Sequence, residues 1–183
     1  MSTSAPSVSA YELTHVEEKD TRATFAVLVD NEPGVLHRVV GLFSARGYNI
    51  ESLTVAETDR RAHTSRITIV TRGAPHVLDQ IRAQLEKMVQ VREVTDVSRD
   101  PRGIQRELAL VKVKGNGTDR VEALRIADIF RAHVVDTTHE SFVFEVTGAS
   151  SKIDQFEALM RPLGLVEIAR TGVLSITRGP EPL

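Results

Sequence analysis

Seven residues between two apolar runs, Asp30-Asn31-Glu32-Pro33-Gly34-Val35-Leu36, carry the side chains best suited to bind a small polar ligand. The pattern around them predicts a strand that ends at this turn and a helix that begins near Gly34. The first N–H groups of such a helix have no intrahelical partner and lie at the positive end of the helix dipole. A carboxylate would satisfy them, and Gly34 lets a ligand approach the backbone because it has no side chain. This turn therefore predicts recognition of a carboxylate.

Polar and apolar groups near the turn extend the predicted site. Asn31 offers an amide donor and acceptor. Asn49 is predicted to start the adjacent antiparallel strand and is expected to bring a second amide alongside it. Val35, Leu36 and Ile50 are expected to form an apolar wall for a branched side chain. The alternative is a plain strand-to-helix turn in which the asparagine side chain bonds to nearby backbone.

Sets of residues that make or break bonds are missing from the sequence. There is no cysteine, and the six histidines include no pair three or four residues apart, which is the spacing of metal ligands on a helix. The segment Gly115-Asn116-Gly117-Thr118 is the nearest approach to a phosphate-binding loop. The alternative there is a flexible turn in which Thr118 or Asp119 caps the next helix. The sequence therefore predicts no catalytic residue and no metal site.

The overall composition argues against several classes of protein. The net charge is −2, aromatic residues make up 4% and tryptophan is absent, which disfavours a nucleic-acid binder. No apolar stretch approaches the length of a membrane span. Residues 1–21 lack an apolar signal core and are interpreted as a flexible tail on a cytoplasmic protein.

The first half of the chain alternates between strand and helix patterns. An apolar, β-branched strand over 24–29 precedes a helix whose apolar stripe ends at Gly47, a residue suited to a left-handed cap. Pro75 suits the first turn of a second helix. The other predicted strands span residues 48–57, 64–71 and 89–97. The predicted order is βαββαβ.

A second copy of the same order follows. Asp100-Pro101-Arg102-Gly103 breaks the pattern, and residues 99–105 are predicted to be a linker. A strand, a helix, a hairpin turned near His139-Glu140, a helix capped by Ser150 or Ser151 and a last strand come next. The first helix is predicted at 119–132. The strands are predicted at 107–114, 133–138, 141–147 and 165–177. Residues predicted to face inward from the two helices are Val121, Leu124, Ala127 and Phe130, then Ile153, Phe156, Leu159 and Met160.

These patterns predict an α+β fold of two ferredoxin-like βαββαβ domains in tandem, each with helices on one face of an antiparallel sheet. The domains are expected at residues 22–98 and 106–178, with tails at 1–21 and 179–183. The two halves share the order of their elements more than their residues, so the repeat is one of architecture.

The size of the expected ligand bears on the assembly. Micromolar binding needs about −8 kcal/mol. For a ligand the size of valine this is about 1 kcal/mol per heavy atom, near the ceiling for very small ligands. Such a ligand must be almost completely buried, whereas one layer of sheet and helix leaves the turn open to water. We therefore expect at least a dimer, with the ligand at the interface.

Two long motifs resemble one known family. They are Asn31-Glu32-Pro33-Gly34-Val35-Leu36-x-Arg38-Val39 and Gly41-Leu42-Phe43-Ser44-x-Arg46-Gly47-Tyr48-Asn49-Ile50-Glu51-Ser52-Leu53-Thr54-Val55. The chain resembles the small, regulatory subunit of acetohydroxyacid synthase (acetolactate synthase). The resemblance continues through Arg106-Glu107-Leu108 and Ala169-Arg170-Thr171-Gly172-Val173, and covers residues 22–178.

The resemblance implies a first domain of the ACT type, which binds amino acids at a dimer interface. It implies a catalytic large subunit as partner, carrying thiamine diphosphate, magnesium and FAD, which condenses pyruvate with a second 2-keto acid in valine, leucine and isoleucine biosynthesis. The small subunit would have no cofactor and no enzyme activity by itself. It would activate the large subunit and confer feedback inhibition, most often by valine. The effector-binding residues implied are Asn31, Gly34, Val35, Leu36, Asn49, Ile50 and Thr54.

Two other functions stay open on the sequence. The chain could be a stand-alone ACT-type amino-acid sensor that regulates a different partner. It could also be an enzyme that uses the Gly115–Thr118 loop with a nucleotide. Mixing with the catalytic large subunit separates the first of these from a regulatory subunit, and turnover by the isolated chain tests the second.

Overall fold

The computed structural model of the protein describes residues 19–59 and 61–180. The predicted N-terminal tail lies outside this range up to residue 18, and so do residues 181–183 of the predicted C-terminal tail. Thr21, the last residue assigned to the N-terminal tail, instead begins the first strand.

The first half forms one four-stranded sheet with two helices. Its elements are β1 (Thr21–Asp30), α1 (Val35–Ala45), β2 (Ile50–Asp59), β3 (Thr64–Gly73), α2 (Pro75–Glu86) and β4 (Val91–Asp96). The strand order is β2-β3-β1-β4, and every neighbouring pair is antiparallel. The predicted βαββαβ order is confirmed.

Local rules explain where the first helices begin and end. Gly34 precedes α1 with a φ of +86°, and Gly47 follows it with a φ of +69°. The N–H of Gly47 donates to the carbonyl of Ser44 at 3.2 Å, which closes the helix end as the sequence predicts. Pro75 is the first residue of α2, where its missing N–H costs the helix no bond.

Both faces of the central strands are buried in the first domain. Phe25 and Ile67 point to the face that α1 and α2 cover. Thr24, Ala26 and Val70 alternate with that set, so they lie on the face without helices, yet all three are buried. Residues of the second half contact this helix-free face at Thr24, Ser52 and Thr54.

The second half repeats the architecture with changes. Its elements are β5 (Gly103–Lys114), α3 (Gly117–Ile129), β6 (His133–Thr137), β7 (Ser141–Gly148), α4 (Ser150–Met160), a 3₁₀ turn (Arg161–Leu163), β8 (Leu165–Arg170) and β9 (Leu174–Thr177). The strand order is β6-β7-β5-β8, and β9 pairs with the first residues of β5. The α+β fold of two tandem units is confirmed.

Two strand predictions are wrong in extent. β5 begins at Gly103, four residues before the predicted start, so part of the predicted linker is strand. It extends because residues 103–106 pair with β9. The single strand predicted over 165–177 is divided at Thr171, Gly172 and Val173, where Gly172 has a φ of +82° that a continuous strand does not accept.

The predicted inward face of α3 is also wrong in part. Ala127 is buried and Phe130 packs against the core, but Val121 is 67% exposed and Leu124 is exposed as well. Ala123 and Ile126 take the inward positions. Apolar residues lie on both sides of α3, so periodicity alone does not select the buried face.

The predicted helix caps of the second domain differ from the structure. Neither Thr118 nor Asp119 caps α3, because the helix begins at Gly117 and Asn116 precedes it. Neither serine caps α4, which follows Ala149 and begins at Ser150. Ile153, Phe156 and Met160 are buried on α4 as predicted. Leu159 is exposed instead, on the outer side of the helix.

Candidate ligand site and the junction between domains

At the turn between β1 and α1, backbone N–H donors at the start of the helix have no acceptor among the described residues. The first bond of the α-helical pattern runs from the N–H of Arg38 to the carbonyl of Gly34, at 3.0 Å. Leu36 and His37 precede it, and their N–H groups have no acceptor among the described residues. These are the groups that the sequence predicts to be available for a carboxylate.

Space for a ligand exists above the turn. A Cβ built on Gly34 would meet no heavy atom within 4 Å, and Asn31, Glu32 and Pro33 are all exposed. Leu36 is 38% exposed, whereas Val35 is buried in the domain core. The turn is therefore open in a single chain, and Leu36 is the exposed apolar side chain beside it.

Two acidic residues lie close to the turn. The side-chain amide of Asn31 donates to the carboxylate of Glu57 across a long 3.5 Å contact. Asp30 is paired with Arg92 at 2.6 Å. Glu57 is a site residue that sequence reasoning missed, because only the pairing of β2 with β3 brings the end of β2 to this turn.

The structure does not bring Asn49 beside Asn31 within one chain. β3 lies between β1 and β2 and is antiparallel to both, so β1 and β2 run in the same direction. Asn31 follows the end of β1, while Asn49 precedes the start of β2. Ten strand residues separate these two ends of the sheet, roughly 30 Å at the usual rise. The expectation of a second amide alongside Asn31 in the same chain is wrong for this reason.

β2 is the outer strand of the first sheet. Its outward backbone groups have no neighbouring strand among the described residues, and Val55 on it is 45% exposed. An open edge of this kind can pair with another strand. Ile50, at its start, packs against the first core.

Thr54 is placed at the contact between the two domains, away from the turn. Its hydroxyl donates to the carbonyl of Val173 at 3.3 Å. The N–H of Val173 in turn donates to the hydroxyl of Ser52 at 3.0 Å. Farther along the junction, Thr24 and Gln105 are hydrogen-bonded at 3.0 Å. These contacts attach residues 171–173 and the start of β5 to the helix-free face of the first sheet.

A cleft of about 510 Å³ lies at this junction, and charged side chains form both walls. On the first domain, Glu51 accepts from Arg22 at 2.9 Å and from Arg72 at 3.0 Å. On the second, Arg170 donates to Glu107 at 2.6 and 2.8 Å and to Asp154 at 2.7 Å.

Glu107 is the buried charge of the cleft, with a side chain only 4% exposed. Burial raises the pKa of its carboxyl, but hydrogen bonds from Arg170 and Ser150 outweigh burial and hold the pKa below its ordinary value. The same pairing raises the pKa of Arg170, against the opposing effect of its own burial. The pair therefore stays ionised.

The glycine-rich loop before α3 is held by the neighbouring hairpin. The N–H of Gly115 donates to the carbonyl of Glu140 at 3.2 Å, and Gly117 has a φ of +57°. Across the residues that the structure describes, no three His, Cys, Asp or Glu side chains are grouped to hold a metal ion. No helix among them has the length and apolar character that crossing a bilayer requires.

Comparison with known proteins matches each half of the chain to a family. Residues 25–93 match the AHAS small subunit-like ACT domain, and residues 106–179 match the small subunit of acetolactate synthase. The probable acetolactate synthase small subunit of Archaeoglobus fulgidus is 45% identical over 156 residues, 85% of this chain and 96% of that protein. The acetolactate synthase isozyme 3 small subunit of Escherichia coli is 45% identical over 159 residues, 86% and 96% of the two chains.

A solved structure has the same fold over nearly the whole chain. The acetolactate synthase small subunit of Thermotoga maritima matches with a TM-score of 0.77 at 36% identity, covering 88% of this chain and 99% of that one. The fold and these matches define a tandem α+β protein whose first domain is an ACT domain. The chain belongs to the family of acetolactate synthase small subunits.

Proposed function

We propose that this chain activates the catalytic large subunit of acetolactate synthase and confers feedback inhibition by a branched-chain amino acid, with valine as the expected effector. The enzyme would thereby be controlled by an end product of valine, leucine and isoleucine biosynthesis. The observation that carries the proposal is the open start of α1, where backbone donors, Gly34 and the Asn31 amide meet.

The groups at the turn suit the zwitterion of an amino acid. The N–H groups of Leu36 and His37 and the amide of Asn31 would bind the carboxylate. Glu57, which contacts Asn31, brings a negative charge to the same place and would pair with the ammonium group. Leu36 would contact the branched side chain.

A second copy of the chain would complete the site. Pairing of two β2 edges around a two-fold axis must be antiparallel, so the start of one β2 lies beside the end of the other. This arrangement would bring Asn49 and Ile50 of a second copy toward Asn31 of the first. It would also cover Val55 and bury the ligand. The separation of Asn31 and Asn49 within one chain thus supports a shared site.

Inhibition then follows from differential binding. Valine can shift the complex to a less active state only if it binds that state more tightly, and each tenfold preference is worth about 1.4 kcal/mol. If the turn serves only to bind the effector, its loss should remove inhibition while activation of the large subunit persists.

The test is a Gly34→Asp variant mixed with purified large subunit. The new carboxylate would occupy the anion site and repel the carboxylate of valine. We expect activation to persist and the valine inhibition curve to become flat. Gly117→Asp is the matched control, because Gly117 also lies at a helix start and has positive φ and open space around it. An unchanged valine curve for Gly34→Asp would refute the site.

Two further outcomes separate the proposal from its alternatives. Calorimetry of the isolated chain against valine, isoleucine and leucine measures which amino acid is preferred. If a branched-chain amino acid binds but the chain leaves the activity of the large subunit unchanged, a different partner is favoured.

A further inference from the structure

Two arginines of the first domain face each other on neighbouring strands. Arg22 on β1 is the direct cross-strand partner of Arg72 on β3. Like charges placed directly opposite each other destabilise a sheet. Glu51 lies between them and accepts from the Nε of each, at 2.9 and 3.0 Å. One carboxylate therefore serves two guanidinium groups, which leaves one excess positive charge on this wall of the interdomain cleft.

The opposite wall does not supply the missing anion. Arg170 uses Nε and Nη2 on Glu107 and Nη1 on Asp154. Its two acidic partners give that wall one excess negative charge, but both carboxylates are bonded to Arg170 and neither is bonded to Arg22 or Arg72. The Nη groups of Arg22 and Arg72 have no partner among the described residues. Each guanidinium keeps four donor hydrogens on these nitrogens.

The cleft between the walls can hold a small molecule. Its volume of about 510 Å³ lies within the range of small-molecule sites, which is about 300 to 1,000 Å³. Gly172 belongs to its lining, and its lack of a side chain lets this backbone approach β2 closely. Ser52 and Val173 line it as well, so residues of both domains would contact an occupant.

We propose that the interdomain cleft binds a small molecule through a carboxylate or phosphate group held by Arg22 and Arg72. The planar fork of arginine binds such oxyanions through paired N–H···O bonds. The site is distinct from the turn before α1. Arg22 and Arg72 lie on the helix-free face and at the opposite end of the sheet from Asn31. An occupant that contacts both walls would couple the placement of the two domains.

The test titrates the full chain with inorganic phosphate and, in a separate arm, with acetate, following binding by calorimetry and amide chemical shifts. We expect saturable binding of at least one probe, with shifts at Arg22, Ser52 and Gly172. The tighter probe identifies the preferred oxyanion. Arg72→Gln should weaken binding about tenfold or more, the equivalent of about 1.4 kcal/mol.

The control is Arg82→Gln, which removes a surface arginine of matching exposure that is paired with Glu86 on α2. We expect its affinity to stay within about twofold of wild type, since one distant charge adds little in water. If Arg72→Gln does not fold, Arg72→Lys keeps the charge and removes the fork, and it should still weaken binding. Absence of saturable binding to wild type, or equal losses in Arg72→Gln and Arg82→Gln, would overturn the proposal. Gly34→Asp should leave phosphate and acetate binding unchanged, which separates this site from the effector turn.

Discussion

The two domains share one order of elements but differ in how their sheets are covered. In the first domain the helix-free face of the central strands is buried, with Ala26 and Val70 almost inaccessible. In the second domain the corresponding face exposes Leu110 and Lys112, with an ion pair from Lys112 to Glu167. A solvated face is ordinary for an antiparallel sheet. The second domain therefore contacts part of the helix-free face of the first, whereas the corresponding face of the second domain is solvated.

The starts of α1 and α3 have similar backbones but different surroundings. Gly34 and Gly117 both have positive φ and open space around them. Beside Gly34 lie an asparagine amide and a carboxylate. The loop before Gly117 instead uses the N–H of Gly115 to hold the β6–β7 turn. A glycine with positive φ at a helix start thus forms a candidate ligand site only where the surrounding side chains suit a ligand.

Charge is also distributed differently. The first domain keeps Glu51 partly exposed beside its two arginines. The second buries Glu107 almost completely against Arg170. A buried pair depends on both partners, because removing one leaves an uncompensated charge in the interior. This contrast predicts which domain is more sensitive to loss of a single charge.

We expect the greatest loss of stability from Arg170→Met, which leaves the buried Glu107 carboxylate without its charged partner. Breaking a buried pair in this way costs about 3 to 5 kcal/mol. The free energy of unfolding, measured by urea denaturation at neutral pH, checks it. Arg82→Met is the control, because the Arg82–Glu86 pair is exposed and such pairs contribute about 0 to 1 kcal/mol. Equal losses in the two variants would remove the distinction between buried and surface charge.

A smaller effect is expected where the second domain contacts β2. In Gly172→Ala the new Cβ would lie 2.5 Å from the Ser52 hydroxyl and 2.9 Å from that of Thr54, at a φ of +82°. Strain and overpacking together should cost about 2 to 3 kcal/mol. Gly34→Ala has a similar φ of +86° but no neighbour within 4 Å, so backbone strain alone should cost about 1 to 2 kcal/mol.

Urea unfolding of both glycine variants isolates the contact between the domains. The excess loss in Gly172→Ala measures how closely residues 171–173 approach the first sheet. If the two variants lose the same free energy, the first domain does not depend on this contact, and the contrast between covered and open sheets weakens.

Features that depend on short-range rules, such as helix ends, could be predicted from the sequence. Gly34, Gly47 and Pro75 act through their own backbone restrictions, so their roles could be predicted from neighbouring residues. The direction of β2 relative to β1 depends on β3, which lies between them, so local patterns do not predict that Asn49 and Asn31 lie at opposite ends of the sheet. The inner face of α3 could not be selected because Val121 and Ile126 are both apolar and lie on opposite sides.

The charged cleft could not be predicted from the sequence either, because residues that are far apart in the chain form it. Glu107 and Arg170 are separated by 63 residues and meet only because β5 pairs with β8. Each stands in a strand pattern that also suits a solvent-exposed side chain. Asn31, Gly34 and Leu36 lie together at the open turn because they are neighbours in the sequence, and their role in binding stays a prediction. Glu57 and the role of Thr54 required the sheet register and the contact between the domains.

A still smaller effect is expected in acid, where the free energy of unfolding should depend on the protonation of Glu107 in the second domain. Hydrogen bonds from Arg170 and Ser150 lower the pKa of Glu107 in the folded chain. In the unfolded chain the pKa of this carboxyl is near the ordinary value of about 4.3. The unfolded state therefore binds the proton first as pH falls. The contribution of Glu107 is fully present above about pH 5 and is lost as pH falls through the lowered folded pKa.

Free energies of unfolding measured by urea denaturation between pH 6 and pH 3 check this dependence. Wild type should lose more stability over that range than Glu107→Gln, which cannot titrate at this position. Glu167→Gln is the matched control, since Lys112 also lowers the pKa of Glu167 but both side chains are exposed. Water screens that pair, so this variant should follow the wild-type curve closely. A Glu107→Gln curve parallel to wild type would mean that burial of Glu107 does not distinguish the second domain in acid.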